Sequence, residues 1–297
     1  GTPTVNSTYA GSTGTRAFNQ GATAGGAATN SVNLNVTAGS DVFSFSNSSH
    51  VKSVNFTGFA GNMTNFLVTC YGDITISSGM TLSAGANPIN FAATSGIQKI
   101  TSNSKTLDFP IVFLGVGGTY QLQDNLTVGS TRNVSLTDGA LDLTGNSGNW
   151  TLSAGTFSSA SATTRSITFG TGKIVVVSNN GTVINCSNVT GYSYTGTPRF
   201  DLSYSGSTGT RTIRFGDNSG TATQTNTPDI YVTAGSDIVR LFTNATTTAV
   251  RSLDTTGFSG SIEASEFRLF GSLNFSSTTT VTATTNAINF ISTGTGN

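Results

Sequence analysis

Two nearly identical glycine-rich stretches that end in an arginine are the most conspicuous chemical feature of this sequence. They read GSTGTR, from Gly11 to Arg16 and from Gly206 to Arg211. A glycine-rich loop beside a cation can bind phosphate, but a P-loop needs G-x-x-x-x-G-K-[ST] between a strand and a helix. Here the lysine is absent and no helical pattern follows. The pattern therefore favours a turn before a strand, where each arginine pairs with carboxylates or carbonyls of stacked copies.

Paired carboxylates are a second chemistry to consider, because glycosidases need only two. The candidates are Asp138 with Asp142, Glu263 with Glu266, and Asp254. In an extended strand Asp138 and Asp142 lie on one face about 13 Å apart, too far for a retaining pair. Glu263 and Glu266 would point to opposite faces. We therefore interpret these carboxylates as surface charges and predict that the protein is not an enzyme, with no catalytic residues and no cofactor.

The residues that most often bind metals or act as nucleophiles are scarce. His50 is the only histidine, and its neighbours SNSSHVKS indicate a polar loop. Cys70 and Cys186 are the only cysteines, and both lie in strand-like surroundings. One histidine and two distant cysteines do not make a metal site of the usual spacing. We expect two buried free thiols rather than a disulfide.

Asn-x-Ser/Thr sequons, which accept N-linked glycans in secreted proteins, occur thirteen times, a modest excess over chance. We predict them as candidate glycan attachment sites. They are Asn6, Asn35, Asn47, Asn55, Asn62, Asn125, Asn133, Asn149, Asn180, Asn185, Asn188, Asn244 and Asn274.

The composition excludes several classes of partner. The 297 residues include 13 Lys and Arg against 13 Asp and Glu, so the formal net charge is zero. Charged residues make up only 9% of the chain, which leaves nucleic-acid binding without an electrostatic basis. No apolar run approaches the length of a membrane span. Hydrophobic residues still reach 35%, with 19 Phe, which argues against a disordered Ser/Thr/Gly-rich linker.

The sequence repeats itself with a period near 195 residues. GSTGTR recurs at an offset of 195, VTAGSD at Val36 and Val232 at 196, and TGF at Thr57 and Thr256 at 199. INF at Ile89 recurs at Ile288 with the offset of 199. The insertions fall in polar stretches, where loops tolerate them. We interpret residues 1–195 as one full repeat unit and 196–297 as part of a second.

A finer repeat of the form T-R-x-φ-x-φ-x-x-G is also visible, where φ is an apolar residue. Its mean spacing is about 39 residues, or five sub-units per large repeat. Its basic positions are Arg16, Lys52, Lys99, Arg132, Arg165, Arg211 and Arg251.

Alternating apolar and polar residues in runs of three to five predict many short strands. A sub-unit of about 39 residues fits two β-solenoid turns of about 20, so we predict an all-β, β-solenoid fold resembling a parallel β-helix. The alternative is a row of tandem β-sandwich domains. The one continuous apolar run, LDFPIVFL from Leu107 to Leu114, suggests a single strand buried on both faces.

The T-R-x-φ-x-φ-x-x-G recurrences, the TGFAG and TGFSG turns and runs such as GDITISSGMTLSAG resemble repetitive bacterial surface proteins and phage tail-fibre-like proteins. This resemblance implies an extracellular fibrous or adhesive role at a cell or virion surface. Exposed strand edges at both ends of an open solenoid would favour association with other copies. We therefore expect a subunit of an extracellular filament that self-assembles head to tail and carries glycans. The alternative is a tail-fibre or adhesin segment that binds cell-surface glycans.

Overall fold

The computed structural model describes residues 1–21, 27–46, 48–217, 222–224, 227–241, 247–264, 267–282 and 288–291. It is all-β, with 47% strand and 2% helix, and its parallel strands stack into a β-solenoid of about 11 turns. The predicted β-solenoid is confirmed, and the alternative of tandem sandwiches is wrong. The 3₁₀ segments Ala28–Asn30 and Gly145–Ser147 lie at corners between strands.

Each complete turn contributes one strand to each of three sides. The first side is a parallel sheet of nine strands in spatial order, followed near the end of the chain by a second set of three. The nine are β1 (Thr4–Ser7), β3 (Asn33–Val36), β6 (Ser53–Asn55), β9 (Ile74–Thr75), β12 (Ile97–Thr101), β15 (Thr119–Leu122), β18 (Gly139–Asp142), β21 (Arg165–Thr168) and β24 (Tyr192–Thr195). The further three are β29 (Thr247–Val250), β32 (Phe267–Leu269) and β35 (Ile288–Phe290).

The second side consists of a four-stranded and an eight-stranded parallel sheet. Gly85 N donates a hydrogen bond of 3.0 Å to Asp108 O where the two sheets meet, so the stack continues from one to the other. The four strands are β2 (Thr15–Phe18), β4 (Val42–Phe45), β7 (Asn62–Asn65) and β10 (Thr81–Leu82). The eight are β13 (Thr106–Leu107), β16 (Leu126–Val128), β19 (Thr151–Ala154), β22 (Lys173–Val176), β25 (Arg199–Leu202), β27 (Asp229–Val232), β30 (Ser252–Asp254) and β33 (Leu273–Asn274).

The third side is one continuous run of parallel strands. It contains β5 (Ser49–Val51), β8 (Val68–Cys70), β11 (Ile89–Phe91), β14 (Ile111–Phe113), β17 (Asn133–Leu136), β20 (Thr156–Ser158), β23 (Gly181–Cys186), β26 (Thr210–Asp217), β28 (Ile238–Leu241), β31 (Ser261–Ala264) and β34 (Thr280–Thr282).

The alternation in the sequence determines which side chains face the core. In β17 the side chains of Val134 and Leu136 are fully buried, whereas Asn133 and Ser135 point outward and are half-buried. Val134 lies beside Ile111 of the preceding turn and Phe157 of the next, so each inward residue is covered above and below. Burying a side chain of this size stabilises the fold by about 1.5–3 kcal/mol.

Turn length varies, which is why the finer repeat is wrong as a structural period. From β3 to β24, strands of the first side begin at residues 33, 53, 74, 97, 119, 139, 165 and 192, so turns take 20 to 27 residues. The basic positions of the finer repeat consequently fall on different sides: Lys99 is in β12 on the first side, whereas Arg211 is in β26 on the third. Corner loops absorb insertions without disturbing the stack.

The interpretation of LDFPIVFL as one buried strand is also wrong. Leu107 ends β13 on the second side, and Ile111 begins β14 on the third. Phe109 lies at the corner between them and is fully buried, while Leu114 is exposed. Because the corner residue Phe109 is apolar, the sequence of two short strands has the pattern of one long buried strand.

The second copy repeats the first strand by strand but is rotated about the solenoid axis. The strands β25 to β35 begin 195 to 199 positions after β1 to β11. In the nine-stranded sheet β24 lies eight turns after β1, and β25 follows on the next side. One repeat therefore advances eight turns and one side, or 8⅓ turns. Equivalent residues of the two copies consequently lie on adjacent sides of the solenoid.

Candidate functional site

The repeated arginine of the second copy, Arg211, lies in a closed cage. Its Nε and Nη2 donate to the carboxylate of Asp237 at 2.8 and 2.6 Å, and Nη2 also donates to Ala234 O at 3.1 Å. The rings of Tyr204 and Phe258 lie 5.7 and 5.6 Å from its guanidinium carbon, within reach of a cation–π interaction. Neither charged side chain is exposed to solvent.

The first copy builds the same cage around Arg16. Its Nε and Nη2 donate to Asp41 at 2.8 and 2.6 Å, and Nη2 donates to Ala38 O at 2.9 Å. The rings of Tyr9 and Phe59 lie 5.5 and 5.3 Å away. Here the Arg16 side chain is 17% exposed, whereas that of Arg211 is fully buried.

A glycine after each alanine carbonyl makes this close packing possible. Gly39 and Gly235 have φ of +97° and +100°, a conformation that side chains with a Cβ rarely adopt. A Cβ would come within 2.6 Å of Tyr9 O at Gly39 and within 2.7 Å of Tyr204 O at Gly235. The motifs TGTR, TAGSD and TGF therefore supply the arginine, the acid and the phenylalanine of one structural unit. The Nε and Nη2 donors of each guanidinium are used in hydrogen bonds inside the cage. This pair of donors is therefore not available to bind a phosphate.

One donor differs between the two cages. Arg16 Nη1 donates to Ser7 Oγ at 2.7 Å, whereas Leu202 stands at the equivalent position of the second copy. Among the residues that the structure describes, none accepts a hydrogen bond from the buried Arg211 Nη1.

Other basic residues of the finer repeat also tie successive turns together, as expected from the sequence. Arg132 Nε donates to Asp108 at 2.7 Å. Arg165 is completely buried and donates instead to carbonyl oxygens, including those of Thr163 at 2.6 Å and Asn188 at 2.7 Å. Its guanidinium carbon lies 4.9 Å from the ring of Tyr192, and burial lowers its pKa.

Of the carboxylates named from the sequence, Asp142, Glu263 and Asp254 have structural partners, and none of these partners is another carboxylate. Asp142 accepts hydrogen bonds from Gln121 Nε2 and from Thr144 N. Glu263 forms an ion pair with Arg240. Glu266 lies outside the described residues.

Asp254 accepts from Thr256 N at 2.7 Å and lies in β30 of the second side. Among the described residues no group of three or more His, Cys, Asp and Glu side chains is placed to hold a metal ion.

His50 is not a loop residue, contrary to the sequence interpretation. It lies in β5, half-buried, with its ring stacked on Tyr71 at 6.1 Å between centroids. The two cysteines are buried free thiols, as expected. Burial raises the pKa of both Cys70 and Cys186 to about 12. Thiols that stay protonated in this way are poor nucleophiles at neutral pH.

The predicted glycan sites fall into distinct settings. Asn6, Asn125, Asn149, Asn180 and Asn274 are exposed, and Asn35, Asn55, Asn62, Asn133, Asn185 and Asn188 are partly buried. Asn47 and Asn244 lie outside the described residues.

In three of the exposed asparagines, the side-chain amide takes part in hydrogen bonds of the described residues only through its oxygen Oδ1. Asn125 accepts from Thr151 N, Asn149 from Thr171 N and Asn180 from Gly181 N, at 2.8 to 2.9 Å. Their Nδ2 atoms remain available for modification. By contrast, Nδ2 of Asn62 donates to Ser83 Oγ and that of Asn133 to Ser135 Oγ.

The first three strands of the first side carry a row of asparagines on their outer face. Asn6, Asn35 and Asn55 lie in register on β1, β3 and β6, and Asn35 Nδ2 donates to Asn6 Oδ1 at 2.8 Å. A shallow groove of about 290 Å³ follows these strands. Its lining consists of Thr4, Asn33, Asn35, Ser53, Val54, Asn55, Asp73 and Thr75.

The equivalent outer face of the second copy is charged instead. Asp201 replaces Asn6 and accepts from Lys173 and Arg199 at 2.7 Å each, and the hydrogen bond to Asp201 raises the pKa of Arg199. The Arg199 guanidinium carbon lies 3.9 Å from the ring centre of Tyr231, which replaces Asn35. Sequence reasoning missed this cluster. The sequence feature that could have indicated the cluster is the occurrence of charged and aromatic residues at alternate positions of RFDL and DIYV.

Comparison with protein-family models, with curated proteins and with solved structures finds no match to this chain. No helix in the described ranges is long and apolar enough to cross a bilayer. The parallel stacked strands define the class of the protein as a β-solenoid.

Proposed function

We propose that this chain is a structural β-solenoid segment of an extracellular filament or surface fibre. The observation that carries the proposal is the strand-for-strand repetition of the stack. Its second and third sides continue as parallel pairs, β22 with β25 and β23 with β26, across the junction of the two copies. Such an array gains stability from nearest-neighbour contacts and can be lengthened without limit. Internal arginine cages and apolar ladders provide rigidity rather than a reaction centre.

Head-to-tail association is the mode of assembly we propose. Strand edges at the ends of an open stack carry unpaired backbone N–H and C=O groups, which favour pairing with another strand. A heterologous contact of this kind produces a filament rather than a closed ring when its rotation does not close. The outward side chains of the stack are largely uncharged and polar, which suits glycan attachment at exposed asparagines.

A second role, binding of cell-surface glycans by an adhesin or tail-fibre segment, is favoured by one surface. The groove of about 290 Å³ on the first side offers several amide and hydroxyl groups in register, and these can hydrogen-bond sugar hydroxyls. Binding on a glycan array that is lost on Asn35→Leu substitution would favour this role over the first.

Electron microscopy of the purified chain, combined with light scattering over a range of concentrations, tests the structural proposal. Filaments, or a mass that grows with concentration, would support it. A monodisperse monomer at high concentration would overturn head-to-tail assembly. Because the fold is stabilised throughout by internal contacts, the monomer itself should remain folded when diluted.

A further inference from the structure

The one Asn-Gly pair of the sequence, Asn180-Gly181, lies where the corner after β22 meets the start of β23. Both residues are exposed to solvent. Gly181 N donates a hydrogen bond of 2.9 Å to Asn180 Oδ1. Because Oδ1 is bonded to Cγ, this contact also brings the Gly181 nitrogen close to the side-chain carbonyl carbon of Asn180. The two atoms that must join to close a five-membered ring therefore lie next to each other.

The residue after the asparagine leaves this approach open. Gly181 has no side chain beside its nitrogen, and its φ of +73° is a conformation that residues with a Cβ rarely adopt. A Cβ built at Gly181 would meet nothing within 4 Å, so no neighbouring turn crowds the peptide bond. Reacting groups that are held in contact react faster than the same groups free in solution.

Two other asparagines of the same segment are held in a different way. Asn185 Oδ1 accepts from Ser187 N at 3.4 Å, and Asn188 Oδ1 accepts from Thr190 N at 3.0 Å. Both side chains thus turn towards the amide two residues ahead, and both residues are partly buried. Of these three described asparagines, Asn180 is the one whose side-chain amide contacts the nitrogen of the next residue.

The corner that ends in Asn180, residues 177–180, contacts the second arginine cage. Asn179 Nδ2 donates a hydrogen bond of 3.4 Å to the hydroxyl of Tyr204, whose ring lies over the guanidinium of Arg211. A Cβ at Gly209 would lie within 2.0 Å of Asn179 O, so the two chain segments approach closely. A change in the backbone of this corner would therefore disturb the cage.

We propose that Asn180 is a site of spontaneous deamidation through a succinimide, and that its isoaspartyl product loosens the second arginine cage. Gly181 N forms a bond to Asn180 Cγ, the Cγ–Nδ2 bond breaks, and Nδ2 leaves as ammonia with the proton of the attacking amide. Water then opens the ring at either carbonyl carbon, which gives aspartate or isoaspartate. In isoaspartate the backbone runs through Cβ and Cγ, so the chain between residues 180 and 181 gains a carbon atom. The reaction does not depend on filament assembly.

The test follows the full chain during incubation at pH 8. The chain is produced in a host that does not glycosylate sequons, because a glycan on Nδ2 would change the leaving group. Trypsin releases residues 174–199 as one peptide, so Asn180, Asn185 and Asn188 are compared in the same mass spectrum. We expect conversion of Asn180 to be about tenfold or more faster than that of the other two. Conversion should be slower at pH 6, because the attacking nitrogen must lose its proton.

Two variants serve as controls for the reaction. Asn180→Gln keeps the amide but would need a larger ring, so it should stay unconverted. Val189→Gly creates a second Asn-Gly pair at Asn188, whose Oδ1 accepts from the amide two residues ahead. We expect Asn180 to be converted faster than Asn188 in that variant. Equal rates at the two sites would overturn the role of the geometry, and an unconverted Asn180 in the parent chain would overturn the proposal.

The effect on the cage is measured on the product. Deamidated chains gain a negative charge and separate from the parent by ion exchange, and fragmentation in the mass spectrometer identifies isoaspartate. We expect backbone amides of residues 204–212 to exchange about threefold or more faster in the isoaspartyl fraction, with β6 to β17 unchanged. Freshly made Asn180→Asp has the charge but a normal backbone, so it should exchange like the parent. Unchanged exchange of residues 204–212 in the isoaspartyl fraction would overturn the link to the cage.

Discussion

The guanidinium of Arg211 and the carboxylate of Asp237 form two hydrogen bonds, of 2.8 and 2.6 Å, where neither side chain has any solvent exposure. Arg211 lies in β26, and Asp237 comes directly before β28, the next strand of the same side. The pair therefore joins two consecutive turns. Because the two charges compensate each other where neither side chain is exposed to solvent, removing one of them leaves the other buried and unpaired.

Asp237→Asn is expected to lower the free energy of unfolding by about 3–5 kcal/mol, the usual effect of breaking a buried ion pair. The matched control is Asp41→Asn in the first copy. There Arg16 is 17% exposed and keeps its bond to Ser7, so we expect a smaller loss. Urea denaturation with hydrogen exchange as a local readout measures both. A loss at Asp41 equal to or greater than that at Asp237 would contradict the role of burial.

Gly235→Ala should destabilise the second cage more than Gly14→Ala destabilises the first turn. Both glycines have positive φ, of +100° and +95°, so both substitutions carry a conformational cost of about 1–2 kcal/mol. Only at Gly235 would the new Cβ also lie 2.7 Å from Tyr204 O and 2.8 Å from Asp237 Oδ1. Thermal denaturation of the two variants separates the steric effect from the backbone effect. Equal shifts in melting temperature would show that the close contact has no role.

The buried thiols predict a loss of stability in alkaline solution. Burial raises the pKa of Cys70 and Cys186 from 9.0 to about 12, so the folded protein keeps protons that the unfolded chain loses above pH 9. Their contribution is complete below pH 9 and is lost as the pH rises towards 12. The expected slope is at most about 1.4 kcal/mol per pH unit for each thiol.

Cys70→Val and Cys186→Val provide the comparison for that slope, since valine is a buried residue that does not titrate. The free energy of unfolding, measured by urea denaturation from pH 8 to 11, should fall less steeply in the double variant. A thiol reagent should label the native protein only after unfolding. Rapid labelling of the folded chain at pH 8, or identical slopes, would be inconsistent with two buried protonated thiols.

Glycosylation, if the chain is expressed in a host that modifies sequons, should be selective. Asn125, Asn149 and Asn180 are exposed and have unused Nδ2 atoms, so we expect these to be occupied. Asn62 and Asn133 donate their Nδ2 atoms to serines and should stay unmodified. Peptide mass spectrometry after enzymatic glycan release distinguishes the two sets. Occupancy of the second set alone would contradict the structural selection.

The solenoid could be predicted because its physical requirements are local. Period-2 alternation with turn residues places inward side chains such as Val134 and Leu136 without knowledge of their partners. The side of the solenoid on which a strand lies depends on the lengths of all the corner loops that precede it, and these lengths vary. The number of turns per repeat could consequently not be predicted. The prediction of one strand for LDFPIVFL was wrong because the buried Phe109 fills a corner between two strands.

The residues that form the arginine cage could have been predicted from the sequence in more detail. TGTR, TAGSD and TGF recur together at nearly the same offset, and a glycine-rich turn, an acid and an aromatic that recur together indicate spatial association. The pairing of Arg16 with Asp41 crosses 25 positions of sequence, however, and depends on the length of one turn. The charged cluster around Tyr231 could not be predicted for a similar reason. The contact between Arg199 and Tyr231 depends on the register of β25 and β27, which the sequence alone does not specify.

The advance of 8⅓ turns per repeat has a consequence for how a ligand or antibody would bind to the proposed fibre. At about 4.8 Å per turn, equivalent cages lie about 40 Å apart along the axis and face directions that differ by a third of a circle. Three repeats bring the same feature back to the same side after 25 turns, about 120 Å. A bivalent binder with short reach would therefore gain little avidity from neighbouring copies. Fibre diffraction or averaged micrographs of a long array would show the 120 Å spacing as its true identity period.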